Sequence, residues 1–371
     1  VFLADIPTPA LVVDIAALDR NIRRMAGFFA SGPCRLRPHV KAHKTPAIAR
    51  RQLAAGSCVG LTCATIAEAE AVAELCDDLL LANEIVDADR CGRAAAIAAR
   101  LRRRAGDRGS LCVAADSAAG IERLAAAARA ADTEVGVLVD VDVGQHRCGV
   151  SSAGEARRLA RAAAQAPGLR LRGVMGYEGH AQPIRDRAAR QRSAGEAMTQ
   201  LVAAVECLRA DGLPCDIVSA GGTGTFDISG RFGGVTEIQA GSYVLMDADY
   251  AALDLPFEQA FWALGTVVSR PVPGRMVLDS GHKAVTRDHG LPGVHGVAGA
   301  VVTALNDEHA VVAIPEDAVV RVGDRVRLIP SHTDPTVNLH DVLYAIDGER
   351  VVDIWPVEAR GYPEQRSRLS T

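Results

Sequence analysis

Aromatic residues are scarce in this 371-residue chain, at 4%. A basic excess is missing too: 41 Lys and Arg face 45 Asp and Glu, for a formal net charge of −4. A nucleic-acid surface needs a basic stripe and stacking rings, so these two shortages together exclude one. Apolar runs long enough to cross a bilayer are also absent, which leaves no expected membrane contact. The opening VFLADIPTPA lacks the basic start and sustained apolar stretch of a signal peptide. The nine cysteines are scattered without a CxxC pair or a shared spacing. They read as reduced thiols of a cytoplasmic protein, packed as small core residues. The partners left are small molecules or a second copy of the chain.

Core material is plentiful, with 49% hydrophobic residues and a mean hydropathy of +0.10. The length suits two domains, or one large α/β barrel with an addition. From residue 10 to residue 245, short apolar runs such as ALVVDI, RLRPHVKA, GLTCAT, LLLANE and EVGVLVDVDV alternate with helical stretches rich in Ala and Arg. That alternation predicts an α/β fold, a (β/α)8 TIM barrel spanning residues 10–245. After residue 250 the pattern turns to strands joined by Gly, Pro and Asp, with DGER marking a hairpin. Residues 250–371 are therefore expected to form a mostly β C-terminal domain, which residues 1–9 are free to join.

Four stretches carry candidate chemistry, and each has a plainer reading beside it. In LRPHVKAHKTP, Lys41 stands where a strand gives way to a helix, with Thr45 as N-cap and Pro46 as first helical residue. A lysine at a barrel strand end suits a Schiff base, although a solvated strand end would look the same and Lys44 is an alternative. In VDVDVGQHRCGV, Arg147 either holds an anionic oxygen or pairs with Asp140 or Asp142. SAGGTGTF offers the backbone N–H groups of Gly222, Thr223 and Gly224 as an anion nest, and QAGSY adds a further Gly-Ser pair. In SHTDPTVNLHD, His332 and Asp334 lie two apart, which on an extended segment points both the same way and suits a divalent ion; a polar turn is the plainer alternative.

Taken in order, TPALVVD, RPHVKAHKTP, VDVDVGQHRCGV, GYEGH, GGTGT, QAGSYVLMD and SHTDPTVNLHD extend over nearly the whole chain. In this the sequence resembles the D-threonine aldolase, D-3-hydroxyaspartate aldolase and D-serine dehydratase group of pyridoxal phosphate enzymes, which share the alanine-racemase-like fold. The resemblance implies that Lys41 carries pyridoxal 5'-phosphate as a Schiff base, with Lys44 a neighbour. It places Arg147 at the cofactor's phenolic oxygen, Tyr177 against the pyridine ring and Gln239 facing the ring nitrogen. Gly222, Thr223, Gly241 and Ser242 fall at phosphate-binding positions, with Gly224 in the same turn. His332 and Asp334 match the metal pair, while His180 and His282 receive no role. A homodimer is implied as well, the β domain of one subunit closing the site of the other.

The implied activity is cleavage of D-threonine or a related D-3-hydroxy amino acid to glycine and an aldehyde, the work of a lyase. Dehydration to a 2-oxo acid and ammonia competes on the same site. Asp334 leans toward the aldolase, because the D-serine dehydratases usually carry a soft Cys there, while a D-3-hydroxyaspartate dehydratase with Asp stays open; a hard carboxylate favours Mn²⁺ or Mg²⁺ over Zn²⁺, with Co²⁺ also open. A non-catalytic pyridoxal phosphate-binding barrel is the third reading, and the strand-rich segment after residue 250 counts against it.

Overall fold

The structure, a computed structural model, describes residues 1–362. Residues 363–371, assigned from sequence to the C-terminal domain, lie outside the described residues. The first strand, β1 (Ala10–Asp14), is the apolar run ALVVD, and its four leading residues are buried. It hydrogen-bonds antiparallel to the later strand Phe261–Val272 and parallel to Val342–Asp347. The run read from sequence as opening the barrel therefore belongs to the β-rich sheet instead. A strand buried on both faces reads as a continuous apolar run in either setting, so composition does not distinguish the two.

The barrel consists of β2 (Arg35–Leu36), β3 (Leu61–Cys63), β4 (Asp78–Glu84), β5 (Ser110–Ala115), β6 (Val135–Asp140), β7 (Leu169–Gly176), β8 (Ile217–Ala220) and β9 (Glu237–Ile238). All are parallel, in the order β2-β9-β8-β7-β6-β5-β4-β3. Parallel bridges from Leu36 to Cys58 and from His39 to Thr62 close the ring. Leu80, Cys112, Ala114, Leu138, Met175 and Ile217 fill its interior. Arg37, 2% exposed, holds the ring near β2 by reaching Glu237 at 2.8 Å and Asp78 at 3.0 Å. Helices Ala88–Ala105, Ala118–Ala130, Ala153–Gln165 and Arg187–Ala210 begin at side-chain caps from Asp87, Ser117, Ser152 and Asp186. In Ala153–Gln165 the inward stripe is Ala156, Leu159, Ala160 and Ala163, spaced as an amphipathic helix requires.

The remaining strands are β10 (Phe261–Val272), β11 (Arg275–Leu278), β12 (Gly293–His295), β13 (Val301–Leu305), β14 (Ala310–Ala313), β15 (Arg325–Ile329), β16 (Val342–Asp347) and β17 (Arg350–Pro356). With β1 they make a nine-stranded sheet. Strands β16 and β17 form the hairpin expected at DGER, pairing Asp347 with Arg350 across Gly348, whose φ of +60° suits glycine. Leu3, Ile6, Val12, Trp262, Leu264 and Ile346 make a core on one side of this sheet.

The chain thus divides into two compact units. Residues 25–41 and 48–241 form the barrel unit; among the described residues, 1–24, 42–47 and 242–362 form the β-rich unit. No helix among the described residues is long and apolar enough to cross a membrane.

Candidate active site

In the barrel unit, the singled-out residues fall at the C-terminal ends of strands, where barrels of this kind place their chemistry. The strand read over residues 35–42 is shorter than expected. Its ladder stops near Pro38, which has no N–H to give, although Arg37 and His39 still donate to the carbonyls of Ile238 and Ala240. Val40–Ala42 then forms one 3₁₀ turn, and Lys41 sits half-buried in it with its backbone N–H on His39 Nδ1 at 3.3 Å. Lys44 has a different setting. It lies in the β-rich unit, takes a φ of +52°, is 8% exposed, and donates from Nζ to the Asp334 carbonyl at 2.9 Å.

Arg147 follows β6 and lies over the Tyr177 ring at 5.7 Å from its centroid, so the turn after β6 and the end of β7 bring these two residues together. Of the acids that competed for Arg147 in the sequence, Asp142 is engaged within its own loop. Its carboxylate accepts from the Gly144 and His146 amides at 2.9 and 3.0 Å and meets His146 Nδ1 at 3.0 Å. Asp140 is buried beside Glu84; burial and that neighbouring carboxylate hold its carboxyl well above the ordinary range, and Arg147 pulls the other way.

The glycine turn after β8 differs from the open nest expected of it. Gly222 N–H donates to Thr225 Oγ1 at 3.2 Å, and Gly224 N–H to Gln182 Oε1 at 2.8 Å. Both amides are therefore engaged by side chains of the barrel itself. A Cβ at either glycine would come within 2.8 Å of Gln182 atoms, which is why the turn is glycine-rich. Behind it, the buried Glu178 carboxylate accepts from Gly221 N–H at 3.1 Å, Thr225 Oγ1 at 2.7 Å and Ser229 Oγ at 2.5 Å. Thr223 is 1% exposed in this turn. Gln239, just beyond β9 and 9% exposed, donates from Nε2 to Ser219 Oγ at 2.9 Å. Gly241 and Ser242 follow it, and Ser242 opens the 3₁₀ turn Ser242–Val244.

In the β-rich unit the expected extended H-x-D pair is not extended. His332 is the N-cap of a short helix, Thr333–Asn338, and Asp334 lies in that helix's first turn. Pro335 is tolerated there because the first helical N–H groups have no intrahelical partner. What faces His332 across the chain is Asp288, with His332 Nδ1 at 2.6 Å from Asp288 Oδ2. His289 stacks on the same imidazole, ring centroids 4.2 Å apart and planes 9° from parallel. Ligand atoms of Asp288, His289 and His332 all lie within 4.8 Å of one another. Asp247, nearly buried, accepts from Thr333 N–H at 3.0 Å, and burial pushes its carboxyl up to about 6.

Sequence reasoning missed Glu178, Gln182, Asp288 and His289. The first two stand in GYEGHAQ, beside Tyr177, which was singled out, but Glu178 meets the glycine turn 43 residues on only through folding. The DH pair at 288–289 lies 44 residues from His332, and no local pattern joins them.

The alanine racemase N-terminal domain family matches residues 13–249, and a serine dehydratase domain matches residues 260–346. A D-threonine aldolase from Arthrobacter sp. is 40% identical over 97% of this chain and 94% of its own. The crystal structure of D-threonine aldolase from Filomicrobium marinum is similar at TM-score 0.92 and 38% identity, covering 97% of each chain. D-threo-3-hydroxyaspartate dehydratase from Delftia sp. HT23 follows at TM-score 0.86 and 30% identity, over 97% of this chain and all of that one.

Proposed function

Because the chain belongs to the alanine racemase-like family that includes D-threonine aldolases and D-threo-3-hydroxyaspartate dehydratases, we propose that it is a pyridoxal phosphate- and metal-dependent D-3-hydroxy-amino-acid aldolase. It would cleave D-threonine and related substrates to glycine and an aldehyde. The observation that carries this reading is a single one. End-to-end likeness to D-threonine aldolase accompanies a lysine at the barrel mouth and a histidine–carboxylate set in the β-rich unit.

The residues fit pyridoxal phosphate. The ends of β2, β6, β7, β8 and β9 present an amine, a guanidinium, an aromatic ring, a glycine turn and a neutral amide. Bound there, the cofactor supplies an electron sink for a bond broken at the substrate's Cα. Lys41, at the end of β2, offers the amine that holds it, and Lys44 donates from Nζ to the Asp334 carbonyl. Arg147 places positive charge beside the Tyr177 ring and suits the phenolic oxygen. Thr223, Gly241 and Ser242 take the phosphate, while Gly222 and Gly224 shape the turn. Gln239, tied to Ser219, presents no charge to the ring nitrogen.

His332 caps the helix whose first turn holds Asp334, and an imidazole with a hard carboxylate suits a divalent ion. Mn²⁺ suits it best, with Mg²⁺, Zn²⁺ or Co²⁺ as alternatives. An ion held by His332 and Asp334 is a Lewis acid able to lower the pKa of a hydroxyl group. Loss of the β-hydroxyl proton leads to cleavage of Cα–Cβ; removal of the Cα proton by Lys41 leads to dehydration. The second outcome is kept because of the dehydratase at TM-score 0.86. A cytoplasmic homodimer completes the reading.

Product analysis decides between them. The protein is supplied with pyridoxal phosphate, Mn²⁺ and D-threonine, with EDTA and L-threonine as controls. Glycine and acetaldehyde, abolished by EDTA, are expected. Formation of 2-oxobutyrate and ammonia would make the protein a dehydratase, and neither product would redirect the search to D-3-hydroxyaspartate.

A further inference from the structure

An imidazole that binds a metal must have its tautomer fixed, and the group that fixes it accepts a hydrogen bond from the other ring nitrogen. Asp288 occupies that place for His332, with Oδ2 at 2.6 Å from Nδ1. The carboxylate is itself held, because Thr286 Oγ1 donates to its other oxygen at 2.9 Å. Thr286 is in turn fixed to the helix that follows His332: its N–H donates to Thr336 Oγ1 at 3.3 Å, and Thr336 Oγ1 donates to the His332 carbonyl at 2.9 Å. The loop thus closes on the residue it orients. On the flat side of the ring, His289 stacks at 4.2 Å, and its own Nδ1 lies 2.6 Å from Asp249 Oδ2.

We propose that Asp288 is the positioning residue of the metal site. By accepting from Nδ1–H it leaves His332 Nε2 as the nitrogen offered to the ion, while His289, anchored by Asp249, prevents the ring from turning about its Cβ–Cγ bond. The inference rests on the metal-dependent reading given above. It adds residues 288 and 289, which lie outside the His332/Asp334 pair, and gives them work other than ligation. A positioned neutral imidazole next to a carboxylate is also a more basic ligand than an unsupported one.

The test is Mn²⁺ affinity of the pyridoxal phosphate-loaded protein, measured by calorimetry and by electron paramagnetic resonance of free Mn²⁺. Wild type is compared with His332→Ala, Asp288→Ala, Asp288→Asn and His289→Ala. Asp288→Ala should bind Mn²⁺ about 10- to 100-fold more weakly, the usual cost of losing such an outer partner. Asp288→Asn should recover part of this, because its amide oxygen still accepts from Nδ1–H without the charge. His289→Ala should lose less than Asp288→Ala, and cofactor absorbance and far-UV circular dichroism should stay as in wild type. If wild type binds no Mn²⁺, or His332→Ala binds it equally well, the metal reading itself falls. If wild type binds and Asp288→Ala binds within twofold of it, the positioning role alone is overturned. A change of coordination number in the Co²⁺ absorption spectrum of Asp288→Ala would also overturn it, by making Asp288 a ligand.

Discussion

Lys41 and Lys44 stand three positions apart and meet different surroundings. Lys41 is half-buried in a single 3₁₀ turn at the end of β2, whereas Lys44 is buried with Nζ on a backbone carbonyl. The proposed roles differ accordingly. Lys41→Ala should lose the cofactor's visible absorbance together with all measurable cleavage. Lys44→Ala should keep the absorbance and lose about 1.5–3 kcal/mol of stability, the usual worth of a charge-assisted hydrogen bond. Spectra of the two purified variants, followed by urea titration, check both halves, and cofactor absorbance surviving in Lys41→Ala would remove that residue from the site. At this scale the sequence was informative wherever a residue's neighbours in the chain constrain it. The strand end at Lys41 was legible because Pro46 marks where the next helix begins, and the helix opens there, but the choice of Lys41 over Lys44 came from the resemblance alone. Asp288 was not, because its partner is brought to it only by folding.

The same distinction governs the elements. Helices were legible from their Ala- and Arg-rich runs, and the DGER hairpin from its glycine. The sheet to which β1 belongs was not, since β1 has the composition of a barrel strand and lies in the other sheet, while the other eight expected barrel strands fall in the ring. The H-x-D segment was read with the wrong period: Pro335 suits a helical first turn as well as an extended run, and the helix formed. One element carries a backbone requirement that can be tested. Gly173 in β7 takes a φ of +148°, and a Cβ there would lie 1.9 Å from the Ile217 carbonyl oxygen of β8. That oxygen is backbone and cannot swing aside, so Gly173→Ala has to push β8 away from β7 inside the ring. A loss of about 1–3 kcal/mol, the range for overpacked cores, is expected from urea unfolding followed by far-UV circular dichroism. Wild-type stability in this variant would mean that the ring gives locally more readily than a closed sheet should.

For the molecule as a whole, the two units differ in what reports on them. Both tryptophans, Trp262 and Trp355, belong to the β-rich unit, so tryptophan fluorescence follows that unit, while far-UV circular dichroism follows both. The same unit holds His340, whose Nε2 donates to the Ala284 carbonyl at 2.8 Å. Burial lowers the pKa of this imidazole, an effect the Ala284 hydrogen bond opposes in part and the Arg360 charge reinforces. The unfolded chain therefore takes up this proton first as pH falls, so between the two values it binds more protons than the folded one and stability rises with pH. The contribution is fully present above about 6.5, the ordinary histidine value, and is lost as pH falls through that value toward the lower folded one. Urea midpoints read by tryptophan fluorescence on metal-free protein should drop between pH 7 and pH 5. In His340→Gln, whose side chain has no proton to gain in this range, the drop should be smaller. Equal slopes in the two proteins would assign the acid sensitivity of the β-rich unit to groups other than His340.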